Sequence, residues 1–182
     1  FYSRTWRFAL KTSSTHTAEK FDNSRANEYA RQSRIALAGY DACHDLAACM
    51  LAASLGTTTS ANVLVVGAGG TAHEIIAMAR LEPNWRFMAV DPSAPMLEAA
   101  TQQLQANDLL ARTDVHPGRV EDLPADASYD AATLIGVLHH LPGDDAKREI
   151  LRSIHARLKP GAPLIVAGNH YAYASQPLLL EA

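Results

Sequence analysis

Short apolar runs alternate with longer amphipathic stretches through residues 63–167. The apolar runs have the length and the nearly continuous hydrophobicity of buried parallel strands, and they lie at 63–66, 86–90, 113–116, 131–135 and 164–167. The stretches at about 71–81, 94–107 and 144–158 have helical periodicity. Because parallel strands are joined by crossover helices, this alternation predicts a doubly wound α/β fold whose parallel sheet is covered on both faces.

Two further helices precede the alternating region. Asp22, Asn23 or Ser24 can cap a helix that Gly39 ends, and a second helix follows at about 41–55. Apolar or small side chains at 46, 47, 50, 51 and 54 predict the buried face of that second helix. We therefore divide the chain into a flexible lead-in at 1–20, a helical cap at 21–56 and an α/β core at 57–182.

The charge balance gives no reason to expect a nucleic acid or a membrane as a partner. The net charge of −3 offers no bulk attraction to phosphates or anionic lipids, and no apolar run approaches the ~20 residues of a membrane span. Cys43 and Cys49 lie on opposite sides of one predicted helix, so they cannot pair with each other, and no zinc-type spacing surrounds them. We expect two buried, reduced cysteines, no metal site and a cytoplasmic protein.

A glycine-rich loop follows the first apolar run. The loop is Gly67-Ala68-Gly69-Gly70-Thr71-Ala72, and a helix comes next, so the backbone can turn sharply and approach a ligand near a helix N-terminus. Asp91 ends the next strand, where its carboxylate can accept hydrogen bonds from both hydroxyls of a ribose. Loop and acid predict a nucleoside cofactor. They leave open which one, since residues 67–72 also fit the G-x-G-x-x-A pattern of dinucleotide-binding proteins.

Five segments in order resemble the class I S-adenosylmethionine-dependent methyltransferases. They are the loop at 63–71, the Val-Asp-Pro-Ser-Ala-Pro-Met-Leu run at 90–97, Gly-Arg-Val-Glu-Asp-Leu-Pro at 118–124, Tyr-Asp-Ala-Ala at 129–132 leading into Gly-Val-Leu-His-His-Leu at 136–141, and Leu-Lys-Pro-Gly-Ala-Pro-Leu at 158–164. The resemblance covers about residues 21–168. It implies a Rossmann-like sheet of order 3-2-1-4-5, two N-terminal capping helices, and further carboxyl-terminal strands that this chain does not reach. The expected cofactor is S-adenosylmethionine, and the expected acceptor is a small molecule.

The resemblance also implies roles for individual residues. Those expected at the cofactor are Gly67, Ala68, Gly69 and Gly70 around its methionine half, Asp91 and Pro92 at the ribose, Met96, Val120, Glu121 and Asp122 near the adenine, and Gly136 and Val137 on the methionine side. Two positions depart from the family pattern. Val65 stands where an acid is usual, and Arg119 stands where an aspartate often contacts the adenine, although a guanidinium has no acceptor.

Candidate catalytic and substrate residues lie around the same predicted opening. His139 and His140 follow the fourth strand, where open α/β sheets place their sites, and one neutral histidine there could accept the acceptor's proton. Adjacent residues point in different directions, so we expect at most one of them to face the site. Candidate substrate contacts are Tyr29, Arg34 and Tyr40 on the cap and His170 and Tyr171 after the fifth strand. Methyl transfer needs no metal and often no base, since positioning can supply most of the acceleration.

Three alternatives stay open at this point. A nicotinamide-dependent oxidoreductase fits the literal Gly67–Ala72 pattern. A non-catalytic module that binds a nucleoside cofactor, or has lost that ability, is suggested by Val65 and Arg119. A tRNA-modifying enzyme is a more distant alternative that shares the resemblance, but the sequence has no basic stripe. An open sheet edge would also allow a homodimer.

Overall fold

Five parallel strands form one sheet in the order β3-β2-β1-β4-β5. The computed structural model describes residues 23–36, 39–56 and 60–168. The strands are β1 (Asn62–Val66), β2 (Arg86–Asp91), β3 (Thr113–Pro117), β4 (Ala131–Ile135) and β5 (Leu164–Ala167). The fold class and strand order predicted from the sequence are therefore confirmed.

The strand order reverses at β1, and this point decides where a ligand can enter. β1 pairs with β2 on one side and with β4 on the other, and Val66 is opposite both Val90 and Leu134. The connections that leave β1 and β4 go to opposite faces of the sheet. A crevice therefore opens at the carboxyl ends of these two strands, as expected for an open α/β sheet.

Helices cover both faces of the sheet. They are α1 (Asn23–Ala36), α2 (Tyr40–Leu55), α3 (His73–Leu81), α4 (Ala94–Ala106) and α5 (Gly143–His155). One core cluster joins α2, α3 and α4 to the sheet, and another joins α5 to the opposite face. The sequence predicted that the helix after the glycine loop begins near residue 71. It begins at His73 because Ala72 has φ 49°, which a right-handed helix does not accommodate.

The cap helices pack directly on the core, α2 along α3 and α1 against α4. The apolar face predicted for α2 is wrong in part, because Leu46 and Met50 are exposed. The face that is buried instead carries Tyr40, His44, Ala47, Ala48 and Leu51. Two polar side chains lie on it because they find partners there: the His44 ring bonds the Tyr40 carbonyl oxygen at 2.8 Å, for example. This rotation also leaves Cys49 exposed and Cys43 half-buried, so the prediction of two buried cysteines is wrong.

None of the described helices is, by itself, long and apolar enough to cross a membrane. Residues 28–35 of α1 and the whole of α2 have the required length and apolar character when taken together, but a 90° bend separates them. The predicted lead-in at 1–20 lies outside the described residues.

Candidate functional site

The glycine loop is tied to its neighbours by backbone hydrogen bonds. The Gly67 and Ala68 amides both donate to the Val90 carbonyl, at 2.8 and 3.2 Å, and the Gly70 amide donates to the Met96 carbonyl at 2.7 Å. Gly67 has φ 78°, and a Cβ on it would overlap the Val137 side chain. The loop is thus held between β2 and α4 while its Gly67 end lies against the segment that follows β4.

Asp91 organises the floor of the site. One carboxylate oxygen accepts from the Gly69 amide at 3.0 Å, and the other accepts from the Ser93 amide at 2.8 Å. Burial raises the pKa of Asp91, and these two hydrogen bonds lower it in part. Each carboxylate oxygen can accept a further hydrogen bond. Asp91 therefore both orders the loop and keeps capacity for two donors of a ligand.

A cleft of about 650 Å³, counting the part open to solvent, lies at the carboxyl edge of the sheet. It is lined by Tyr29, Gly67, Gly69, Asp91, Pro92, Ser93, Met96, Ile135, Gly136, Val137, His140 and Leu141. Seven of the residues predicted at a cofactor are in that set: Gly67, Gly69, Asp91, Pro92, Met96, Gly136 and Val137. Sequence reasoning missed Ser93, Ile135 and Leu141, and their only signal was adjacency to residues already chosen. A concave, mostly apolar cleft with a few converging polar groups is the usual form of a site for a cofactor or small ligand.

The two candidate histidines have different environments, as expected of adjacent residues on a tight turn. They lie in the 3₁₀ turn Leu138–His140, with ring centroids 4.0 Å apart. His140 lines the cleft, whereas His139 is exposed to solvent. His140 is therefore the one placed to meet a ligand.

Of the candidate substrate residues on the cap, only Tyr29 lines the cleft. Its ring lies over Gly70, where a Cβ would be 2.5 Å from Tyr29 Cδ1. Tyr40 is buried behind it, and its hydroxyl shares a 2.9 Å hydrogen bond with the Thr71 hydroxyl. Arg34 forms an exposed ion pair with Asp41 at 2.7 Å. Neither Tyr40 nor Arg34 lines the cleft: Tyr40 is engaged with the glycine loop and Arg34 with another residue of the cap, and substrate contact by either stays a prediction.

The other predicted positions do not line the cleft. Ala68 and Val120 are buried, and Gly70 lies beneath Tyr29. His170 and Tyr171 lie outside the described residues. The remaining two, Glu121 and Asp122, both have Arg119 as their partner.

Arg119 engages both carboxylates of the turn that was expected near an adenine. Asp122 accepts from the Arg119 amide at 2.8 Å, and Glu121 lies 3.5 Å from the Arg119 guanidinium. The backbone of the same turn is held by Arg157, which donates to the carbonyls of Glu121 and Leu123 at 3.0 and 2.8 Å. Contact of Val120, Glu121 or Asp122 with a cofactor stays a prediction.

Sequence reasoning also missed Glu74, in the first turn of α3. Its side chain is only 5% exposed, and burial raises its pKa to about 8. A signal was present, since residues 74, 77, 78 and 81 share one face of a helix and the other three are apolar. A carboxylic acid on an otherwise apolar helix face indicates either that the helix is wrongly assigned or that the acid is buried for a functional reason.

Comparison with known proteins identifies the family to which the chain belongs. Residues 64–164, more than half of the chain, match a model described as a methyltransferase domain. The chain is 32% identical over 112 residues to the demethylmenaquinone methyltransferase of Lactiplantibacillus plantarum, a match that covers 60% of this chain and 45% of that protein. The chain therefore spans less than half the length of this relative.

Solved structures with the same fold agree. A Methanococcus maripaludis protein assigned as an S-adenosylmethionine-dependent methyltransferase superposes with a TM-score of 0.67 at 19% identity, over 96% of this chain and 74% of that one. The DhpI–SAH complex superposes with a TM-score of 0.62 at 20% identity, over 85% of this chain and 69% of that one. Identities this low show the fold alone. Together with the sequence match over residues 64–164, they lead to one conclusion: the chain belongs to the family of methyltransferase domains.

Proposed function

We propose that this chain binds S-adenosylmethionine in the described cleft and transfers its methyl group to a small molecule. The observation that carries the proposal is Asp91, a half-buried carboxylate at the end of β2 that lines the cleft and holds the glycine loop. When bound, S-adenosylmethionine supplies an electrophilic methyl group. The residues present fit this cofactor, because the cleft offers an acceptor for ribose hydroxyls, glycine backbone for close approach, and the apolar Met96 side chain.

The start of α3 argues against a dinucleotide. In dinucleotide-binding proteins the pyrophosphate sits at the helix N-terminus that follows the glycine loop. Here Thr71 and Ala72 are buried, the ring of Tyr29 covers Gly70, and Tyr40 bonds Thr71. A helix start covered in this way does not suit a pyrophosphate, which favours S-adenosylmethionine over a dinucleotide.

Different residues of the cleft would then bind different parts of the cofactor. Asp91 accepts the ribose hydroxyls while it keeps the Gly69 amide in place. Gly67 and Gly136, at the ends of β1 and β4, leave room for the amino-acid half of the cofactor. Ile135, Val137 and Leu141 give the other wall an apolar character, as expected of a pocket for a small organic acceptor.

His140 would accept the proton that the methyl acceptor loses. A lone pair on the acceptor's oxygen or nitrogen, or the π electrons of a carbon acceptor, would form the new bond to the methyl carbon. The carbon–sulfur bond breaks, and its electron pair stays on sulfur. The proton that the acceptor loses can pass to a neutral His140, which lines the cleft. Orientation of the two partners in line supplies most of the acceleration.

Calorimetric titration tests the proposal. We expect S-adenosylhomocysteine, the product form of the cofactor, to bind the wild-type chain and NAD to give no heat. The Asp91→Asn variant keeps the size of the side chain but loses its charge, and it cannot accept from Gly69, Ser93 and two ribose hydroxyls at once. It should bind at least about tenfold more weakly, as expected for loss of charged hydrogen bonds.

Asp145→Asn is the matched control, because Asp145 is fully exposed on α5, away from the cleft. It should bind as the wild type does. Binding of NAD without S-adenosylhomocysteine would overturn the proposal in favour of an oxidoreductase. Absence of binding by either would indicate a module that has lost its cofactor.

A further inference from the structure

Helix α1 is held to the rest of the chain by few side chains. From Glu28 to Ile35 only Ser33 is buried and Tyr29 is half-buried, whereas the other six side chains are exposed. A helix with so little buried surface opens locally at a low free-energy cost, so a few contacts decide how firmly it docks. Tyr29 is nevertheless part of the lining of the cleft. The position of its ring therefore depends on the contacts that hold α1.

The Tyr29 ring lies directly on the glycine loop. A Cβ on Gly70 would be 2.5 Å from Tyr29 Cδ1, 2.8 Å from Tyr29 Cε1 and 3.0 Å from Met96 Cε. The missing side chain of Gly70 thus leaves the space that the ring occupies. Met96 lines the cleft as Tyr29 does. The two side chains therefore meet over Gly70 and form one wall of the cleft.

Tyr40, the first residue of α2, connects that ring to the residue after Gly70. Its hydroxyl shares a 2.9 Å hydrogen bond with the Thr71 hydroxyl. Burial is the main cause that raises the pKa of Tyr29, and interactions with Tyr40, among them a side-chain hydrogen bond, raise it further. Tyr29 and Tyr40 thus contact two consecutive residues of the loop as well as each other. Together with Thr71 they form a chain of hydroxyls from the cleft to the start of α3.

Tyr40 is itself held in place by both cap helices. Its side chain is buried, the Arg34 guanidinium of α1 lies 5.4 Å from its ring centroid, and the His44 ring lies 4.4 Å from it. Arg34 also forms an ion pair with Asp41 at 2.7 Å, which joins α1 to α2. Because the ring has these neighbours, its hydroxyl is directed to one place.

The Thr71 end of this chain lies at a strained point of the backbone. Ala72 has φ 49° and ψ 23°, the left-handed region that a residue other than glycine rarely adopts. Such a conformation persists where the surrounding contacts fix it. The Thr71 hydroxyl accepts from the His73 amide at 3.3 Å, across Ala72, and Tyr40 bonds the same hydroxyl. Tyr40 thus helps to fix the turn through which the glycine loop enters α3.

We propose that Tyr40 is a positioning residue of the cofactor site, which bridges Tyr29 and Thr71 and so holds α1 on the glycine loop. This inference rests on the proposed function. The cofactor would contact Tyr29, and Tyr40 would act through it. A ligand that binds the docked form of α1 more tightly shifts the population toward that form, and docking raises the affinity by the same factor. Docking of the cap and binding of the cofactor are therefore coupled.

A double-mutant cycle on cofactor affinity tests the bridge. Tyr40→Phe keeps the ring and its packing but removes the hydroxyl, and Thr71→Val keeps the shape of the side chain without its hydroxyl. Each should weaken calorimetric binding of S-adenosylhomocysteine about three- to tenfold, because the docked form of α1 loses a hydrogen bond and becomes less populated. The double variant should bind about as Thr71→Val does, since both changes remove the same bond. Losses that multiply in the double variant would overturn the bridge.

Tyr129→Phe is the matched control. Tyr129 is as buried as Tyr40, at 8% exposure, but it belongs to the core cluster on the opposite face of the sheet. Its substitution should leave the affinity for S-adenosylhomocysteine unchanged. An equal loss of affinity in this variant would show that any buried tyrosine hydroxyl supports binding, and the specific role of Tyr40 would be refuted.

Amide hydrogen exchange in α1 gives a readout that a purely structural role of Tyr40 would not move. In the wild type, saturating S-adenosylhomocysteine should slow exchange in α1 relative to α5, which packs on the other face of the sheet. Without ligand, Tyr40→Phe should speed exchange in α1 about three- to tenfold. Exchange in α1 that does not respond to the ligand would overturn the coupling.

A second route to the same bridge keeps the proposal refutable if Tyr40→Phe fails to fold. Tyr29→Phe retains the ring in the cleft but removes its hydroxyl, so it should reproduce the loss of affinity expected of Tyr40→Phe. Equal affinity of wild type, Tyr40→Phe and Tyr29→Phe would overturn the role of Tyr40 while the proposed function stands. Failure of S-adenosylhomocysteine to bind the wild type would overturn the function and this inference together.

Discussion

Gly69→Ala should destabilise the chain although Gly69 needs no unusual backbone angle. A Cβ at this position would lie 2.6 Å from Asp91 Oδ2 and 2.6 Å from Met96 Cβ. Neither neighbour can move freely, since the Ser93 amide holds the Asp91 carboxylate and Met96 is buried on α4. Overpacking of this kind costs about 1–3 kcal/mol, and loosening the Gly69–Asp91 hydrogen bond costs about 1.5–3 kcal/mol more if it is lost. We expect a total of about 3 kcal/mol.

Urea unfolding followed by circular dichroism measures this loss, and thermal unfolding should show a Tm lowered by about 6–12 °C. Gly136→Ala is the matched control. Gly136 also lines the cleft and has φ 73°, but a Cβ there meets no atom within 4 Å. Its substitution should therefore cost only the conformational penalty of about 1–2 kcal/mol.

The ranking of these two variants is the decisive result. If Gly136→Ala proves the less stable of the two, backbone conformation dominates this edge of the sheet and the steric reasoning is wrong. If Gly69→Ala unfolds at the wild-type urea concentration, Asp91 and Met96 are not held as tightly as their contacts indicate.

Two further predictions concern buried charge. Because burial raises the pKa of Glu74 to about 8 in the folded chain, the folded chain holds a proton that the unfolded chain releases. The free energy of unfolding should therefore fall by roughly 1.4 kcal/mol per pH unit from about pH 5 to pH 8. Glu74→Gln should flatten the urea midpoint over this pH range, and an unchanged slope would exclude Glu74 as its source. Arg157→Ala should lower the free energy of unfolding by about 3 kcal/mol, because it leaves the carbonyls of Ser153, Glu121 and Leu123 without their donor. Arg157→Lys should recover part of this stability in the same unfolding assay. An equal loss in both variants would indicate that packing, and not hydrogen bonding, is the cause.

The α/β core was predictable because its signals are local. Each strand is a short apolar run, each crossover helix has a 3.6-residue period, and the handedness of crossovers leaves few arrangements. The run at 131–135 predicted β4 with its observed ends. The helix before the core was less predictable. Leu46 and Met50 have the composition of a buried face, but α2 turns Tyr40 and His44 inward instead. The Thr71 hydroxyl that pairs with Tyr40 belongs to a distant segment and lies there only once the chain is folded.

The sequence by itself determined the sheet, its order, and the end of it at which the cleft opens, since the loop at Gly67–Gly69, Asp91 and the segment after β4 follow their strands directly. Only the tertiary structure decided which side chains meet there. It selected His140 over His139 and Tyr29 over Arg34, and it occupied Glu121 and Asp122 with Arg119. It also placed Glu74 beside Thr133, 59 positions away. Such choices depend on contacts between distant segments, and no local pattern of residues records them.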